Sequence, residues 1–219
     1  MSVRPRSRRL PGRRVRGGLA QEDAVRVAGD LVAAGRLVAL GLSRAVSAGV
    51  AVELATRVLG AGPPTACEVT LPADTGAAEE LVARGLGVAL AGPPGVVDPV
   101  ARALPGARVV VPAGEPSAED RCRALAGGRV RLVAGRGAVA ELAFVRCLNV
   151  LMAGDGEPAV ATTDPRLIAI TGERAAWNGR APDSWEHVMP WGEPTEDQHR
   201  LLAAGHTVRV LVPVAGARA

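Results

Sequence analysis

From residue 19 onward, short apolar runs alternate with stretches of helical period. Eight runs read as strands: 36–40, 67–71, 87–91, 108–111, 130–133, 158–162, 187–189 and 207–212. Most are near-continuous Val, Leu and Ala rather than alternating, the pattern of strands covered on both faces. Helical stretches lie between them. Residues 22–33 form one ahead of the first strand. Within 138–152, Phe144, Cys147, Leu148 and Leu151 recur at i, i+3, i+4 and i+7 and make one apolar stripe. Asp164-Pro165 reads as a helix start, because the Asp side chain accepts from unpaired amides and Pro suits the first helical position. Thr195 with Glu196 and Asp197 opens the last helix, and Gly205 closes it. Gly and Pro clusters at 60–64, 92–95 and 154–158 mark loops.

Eight strands, each after the first preceded by a helix, predict an α/β fold: a (β/α)8 TIM-type barrel. Residues 19–219 are read as this single barrel and residues 1–18 as a basic, disordered arm. The sequence ends at Ala219, a few residues past the eighth strand, so the expected barrel lacks the final closing helix. An open doubly wound sheet is the alternative architecture. Against it, Leu40-Gly41-Leu42-Ser43-Arg44 after the first strand is not the glycine-rich fingerprint of that fold.

Composition removes several chemistries. The chain has no tyrosine and no lysine, and Phe144 is its single phenylalanine. Lysine Schiff bases, covalent pyridoxal phosphate, a phosphate-loop lysine and tyrosine acid–base chemistry are therefore excluded. Of the net charge of +4, residues 1–18 supply seven arginines (4, 6, 8, 9, 13, 14 and 16) and no acid, which leaves −3 for the body. Such an arm suits phosphates or an anionic membrane surface. With no interleaved aromatics and no folded nucleic-acid module, no nucleic-acid partner is expected. Ser7-Arg8-Arg9 is not followed by the apolar stretch of an export signal, and no uncharged run reaches the ~20 residues of a membrane span. Cys67, Cys122 and Cys147 are far apart and lack metal-ligand spacing, so no metal site is expected. The expectation is a cytoplasmic protein with no transmembrane segment, able at most to lie peripherally on a membrane.

Catalytic groups of such barrels sit at the C-terminal strand ends. Here those ends read mostly Gly, Ala and Pro. Asp164 is better placed as a helix cap than as a general base. Asp74 and Glu193 are candidates for a carboxylate pair, and Trp191 for stacking on a planar ligand or packing on a loop. Arg136, the strong charge after the fifth strand, suits a phosphate or carboxylate. His187 starts a strand, away from the catalytic end, while His199 and His206 lie on and just after the final helix.

One ordered set of segments carries a resemblance. Arg129-Val-Arg-Leu-Val-Ala-Gly135, the run from Phe144 to Gly156, and Ala161-Thr-Thr-Asp-Pro-Arg-Leu-Ile168 resemble the second half of a proline dehydrogenase barrel. Gly179-Arg-Ala-Pro-Asp-Ser184 and the run Gly205 to Pro213 continue it in order. Upstream, the run Val109 to Cys122 matches the family's fourth strand and following helix, and Gly35-Arg-Leu-Val38 the entry to the first strand.

The resemblance implies a flavoenzyme barrel that oxidises L-proline to pyrroline-5-carboxylate by hydride transfer to FAD, with L-proline or a similar small molecule as ligand. It places Arg131, Val133, Gly135 and Thr162 where the family approaches FAD. Elsewhere the chain departs from the family. The second-strand lysine falls at Pro72, the third-strand acid near Ala91, the fourth-strand glutamine at Pro112 and the nearby tyrosine at Gly114. The fifth-strand Lys-Gly-Ala-Tyr becomes Ala134-Gly135-Arg136-Gly137, and the sixth-strand Thr-His becomes Thr162-Thr163. No residue is assigned a catalytic role. The expectation is a catalytically impaired or inactive member. Its alternatives are a partner subunit of an intact paralogue (or a homo-oligomer), using apolar surface left by the missing helix, and a different small-ligand enzyme using Arg136, Asp164 or Trp191.

Overall fold

The structure, a computed structural model, describes residues 18–42, 46–72, 75–192 and 195–215. The basic arm up to residue 17, together with Asp74 and Glu193, lies outside the described residues. Eight strands appear: β1 Leu37–Leu42, β2 Cys67–Pro72, β3 Gly87–Ala91, β4 Arg108–Pro112, β5 Arg129–Val133, β6 Glu157–Ala161, β7 Glu186–Pro190 and β8 Val208–Val214. Helices α1 Gln21–Ala33 and α2 Ala48–Leu59 flank β1, and α3 Thr75–Ala83, α4 Pro94–Ala103 and α5 Ala118–Leu125 follow β2, β3 and β4. After β5, β6 and β7 come α6 Ala138–Ala153, α7 Pro165–Trp177 and α8 Thr195–Ala203.

All eight strands pair in parallel in sequence order, and β8 closes on β1 through the register Leu37↔Arg209 to Leu42↔Val214. Closure excludes the open-sheet alternative. Each strand lies within two residues of its expected bounds.

The outward strand positions form the main core. Val38, Leu40, Val69, Leu71, Val109, Val111, Val130, Leu132, Val210 and Val212 meet the helices there. The α6 stripe is buried with them: Phe144, Cys147 and Leu148 are fully covered. No helix follows β8 within the described residues, yet β8 is not left bare. Helix α1 packs on both β1 and β8, and Val210, Val212 and Val214 are buried. The apolar face expected from a missing last helix is thus covered by the first one. Leu19 adds a parallel bridge to Val214, which ties the start of the described chain to the C-terminal end of β8.

The inward positions follow from the period of two along each strand and agree around the whole register. At the N-terminal end stand Glu68, Arg108, Glu186 and Arg209, each buried. Gly87 makes room for Glu68, since a Cβ at this glycine would lie 3.2 Å from Glu68 Cγ. The middle positions are Ala39, Thr70, Ala89, Val110, Arg131, Ala159, Val188 and Leu211. At the C-terminal end the eight inward residues are Gly41, Pro72, Ala91, Pro112, Val133, Ala161, Pro190 and Pro213. The interior is therefore ionic at one end and wholly apolar at the other.

Candidate functional site

A cavity of about 340 Å³ opens at the C-terminal mouth over β5, β6, β7 and β8. Its floor is the inward set Val133, Ala161, Val188, Pro190 and Leu211, with Leu167 of α7 as a wall. Polar groups reach it from the two loops above: Arg136 after β5, then Thr162, Thr163 and Asp164 after β6, with Glu141 from the first turn of α6.

The loop after β6 is set by local chemistry. Asp164 caps α7, its Oδ1 accepting from the Arg166 amide at 2.8 Å. The Asp164 amide in turn donates to Thr162 Oγ1 at 3.2 Å. Asp164 therefore does what its place before Pro165 led the sequence to suggest. The loop after β5 is set by close packing. A Cβ at Gly135 would meet Ala140 Cβ at 2.6 Å, so only glycine lets α6 sit this tightly against the strand end. Gly137, with φ of 88°, precedes α6 and offers no side-chain cap. Arg136 is exposed and makes no hydrogen bond or ion pair among the described residues, which leaves its guanidinium available to a ligand. Trp191, a candidate for stacking, is half-buried against the main core instead.

Below the cavity runs a chain of alternating charges that the sequence reading missed. Arg209 Nε donates to both Glu186 oxygens at 3.0 and 3.1 Å. Arg108 bridges the two acids, with Nη2 3.2 Å from Glu186 and Nε 2.9 Å from Glu68 Oε2. Arg131 pairs with the other Glu68 oxygen and donates to Thr70 Oγ1 at 2.7 Å. Burial alone would raise the Glu68 carboxyl; Arg131, Arg108 and Arg209 outweigh it and hold the group below the ordinary carboxylate range. Burial, with Arg108 and Arg209 nearby, lowers Arg131 from its ordinary value despite Glu68. The available signal was a charge at the same phase in five strands otherwise rich in Val, Leu and Pro.

The four positions that the resemblance gives to FAD separate here. Val133, Gly135 and Thr162 line the mouth cavity. Arg131 does not: it is 2% exposed, and its terminal nitrogens are committed to Glu68 and Thr70. Gly135 spends its missing side chain on helix packing. Three of the four positions thus share one cavity, and the fourth, Arg131, lies sealed beneath the apolar ring. Within the described residues no cluster of three metal-ligating side chains occurs, and no helix is long and apolar enough to cross a membrane.

Fold and site define a closed β/α barrel with a small, mostly apolar cavity at its C-terminal mouth and ion pairs sealed within. In structure the chain is similar to proline utilization A from Bdellovibrio bacteriovorus inactivated by N-propargylglycine, with a TM-score of 0.75 at 14% identity, covering 91% of this chain and 30% of that one. It is similar also to proline utilization A from Corynebacterium freiburgense, with a TM-score of 0.64 at 15% identity over 90% of this chain and 28% of that one. A Bradyrhizobium japonicum variant of proline utilization A gives 0.60 at 18% identity, covering 82% and 26%. At these identities the likeness is one of fold, and it agrees with the proline dehydrogenase resemblance carried by the sequence. The chain spans less than a third of the length of those proteins. No protein-family model matches the chain, and no curated protein matches it.

Proposed function

We propose that this chain is a proline dehydrogenase-like barrel that receives a small molecule at its mouth and has lost the FAD-dependent oxidation of L-proline. The observation that carries the reading is the ring of eight apolar inward residues at the C-terminal strand ends, from Gly41 round to Pro213. Hydride transfer from an amino acid needs a cation for its carboxylate and donors around the flavin. One charged hydrogen bond contributes about 1.5–3 kcal/mol. Losing several lowers the rate by many powers of ten even without additivity. The cavity suits a ligand with an apolar body and an anionic edge, the edge meeting Arg136.

The test is the visible spectrum of the purified chain, with proline-dependent dye reduction measured in the presence of added FAD. The expected result is no flavin absorbance and no reduction above a no-protein control. Bound flavin together with turnover would overturn the reading.

A further inference from the structure

We propose that the groove between α4 and α5, at the end of the barrel opposite the mouth, binds a phosphate ester whose body carries a hydrogen-bond donor. The groove encloses about 720 Å³, about twice the mouth cavity, and shares no residue with it. That volume lies within the range of small-molecule pockets.

Its existence follows from the sequence of α4. This helix begins at Pro94 and carries Pro99 inside, which has no amide hydrogen to give to the turn before it. Val97 is the only residue it buries fully. Helix α5 is eight residues long. Between two such short elements the outer face of β4 at Val109 becomes a floor, with Ala101 and Leu125 as walls.

The observation that points to a ligand is Arg121 on α5. Its side chain is 9% exposed. Nη2 donates to Asp98 Oδ1 at 2.6 Å, while Nε and Nη1 are buried without an acceptor among the described residues. Other helix arginines, Arg26, Arg84 and Arg123, pair with acids one turn away and stay in water. Arg121 turns instead into a concave surface, where an unmet donor is expensive and an oxyanion supplies the acceptor.

The charges around the groove narrow the ligand further. Arg129 is paired with Glu157 at 3.1 Å, and Asp98 with Arg121. Arg102 and Asp155 line the same groove and pair with nothing among the described residues. An anionic group fits Arg121 and Arg102. Asp155 repels a purely anionic molecule and accepts from a donor on the ligand body. A phosphate ester bearing an amino group meets both conditions, whereas inorganic phosphate meets one.

The experiment is titration calorimetry of the full chain with inorganic phosphate and with adenosine monophosphate. The nucleotide is expected to bind at least about ten-fold more tightly than phosphate, and Arg121→Gln to weaken it by about ten-fold or more. Arg102→Gln, a change at an exposed position, should weaken it in the same direction and decides the matter should the Arg121 variant fail to fold. No heat with millimolar nucleotide overturns the proposal. So does equal affinity for the two probes, or nucleotide binding unchanged by the substitutions.

Discussion

Substituting Glu68→Gln tests the ionic interior directly. Glu68 joins Arg108 and Arg131 within the sequence Arg209–Glu186–Arg108–Glu68–Arg131. That network holds three cations and two anions, and all five residues are at most 6% exposed. Removing one anion raises the buried excess from one positive charge to two and leaves two guanidinium groups facing an amide that cannot neutralise them. Breaking a buried pair in this way costs about 3–5 kcal/mol. For a chain of this size each kcal/mol moves Tm by about 2–4 °C, so a fall of about 6–20 °C is expected. Urea unfolding monitored by tryptophan fluorescence measures the same loss, since Trp185 is buried in the core. The control is Glu22→Gln. Its exposed pair with Arg57 has a contact of 2.6 Å, shorter than the 2.9 Å from Arg108 to Glu68, yet water and salt screen it, and no measurable loss is expected. The pH dependence has a definite sign. A carboxyl held below its unfolded value stabilises above that unfolded value and loses its contribution as pH falls through the folded one. The acid limb of stability should therefore flatten in Glu68→Gln. Equal losses for the two variants would refute the account of the interior.

Further perturbations address other parts of the molecule. His187 is buried against Trp185, with ring centroids 4.7 Å apart. Burial, with His206 beside it, pushes it down to about 4 from an ordinary 6.5. Between those values the unfolded chain takes a proton that the native chain refuses, so stability should fall by about 3 kcal/mol as pH drops from 6.5 to 4. His187→Phe should remove that slope in a Tm-against-pH series, and an unchanged slope would count against the assignment. Asp164→Ala deletes the α7 cap and should cost about 1 kcal/mol in urea unfolding. Gly135→Ala forces Ala140 to move and should cost about 1–3 kcal/mol, whereas a neutral result would show that α6 slides freely on β5.

The resemblance to proline dehydrogenase barrels and the placement of strands were both legible because each rests on local order. Val, Leu and Ala runs covered on both faces look the same in any closed or open parallel sheet, and Gly and Pro punctuate them wherever the chain turns. Asp164-Pro165 was legible for a similar reason: the cap and its amide are two residues apart. The charges on the inner face were harder to interpret. Glu68, Arg108, Glu186 and Arg209 come from four strands, and contacts such as Arg131 to Glu68 join residues 63 positions apart. Arg131, which the resemblance places near flavin, is paired with Glu68 instead of being left free.

By itself the sequence determined the alternation of helix and strand, the apolar strand ends and the exclusion of lysine and tyrosine chemistry, since these depend on residue identity and near neighbours. Only the tertiary structure decided which phase of each strand faces inward, because a strand apolar on both sides carries no mark of inside or outside. Closure then settled the rest. It brought five distant charges into one sealed network, laid α1 over β8, and left a groove between α4 and α5 beside Val109 of β4.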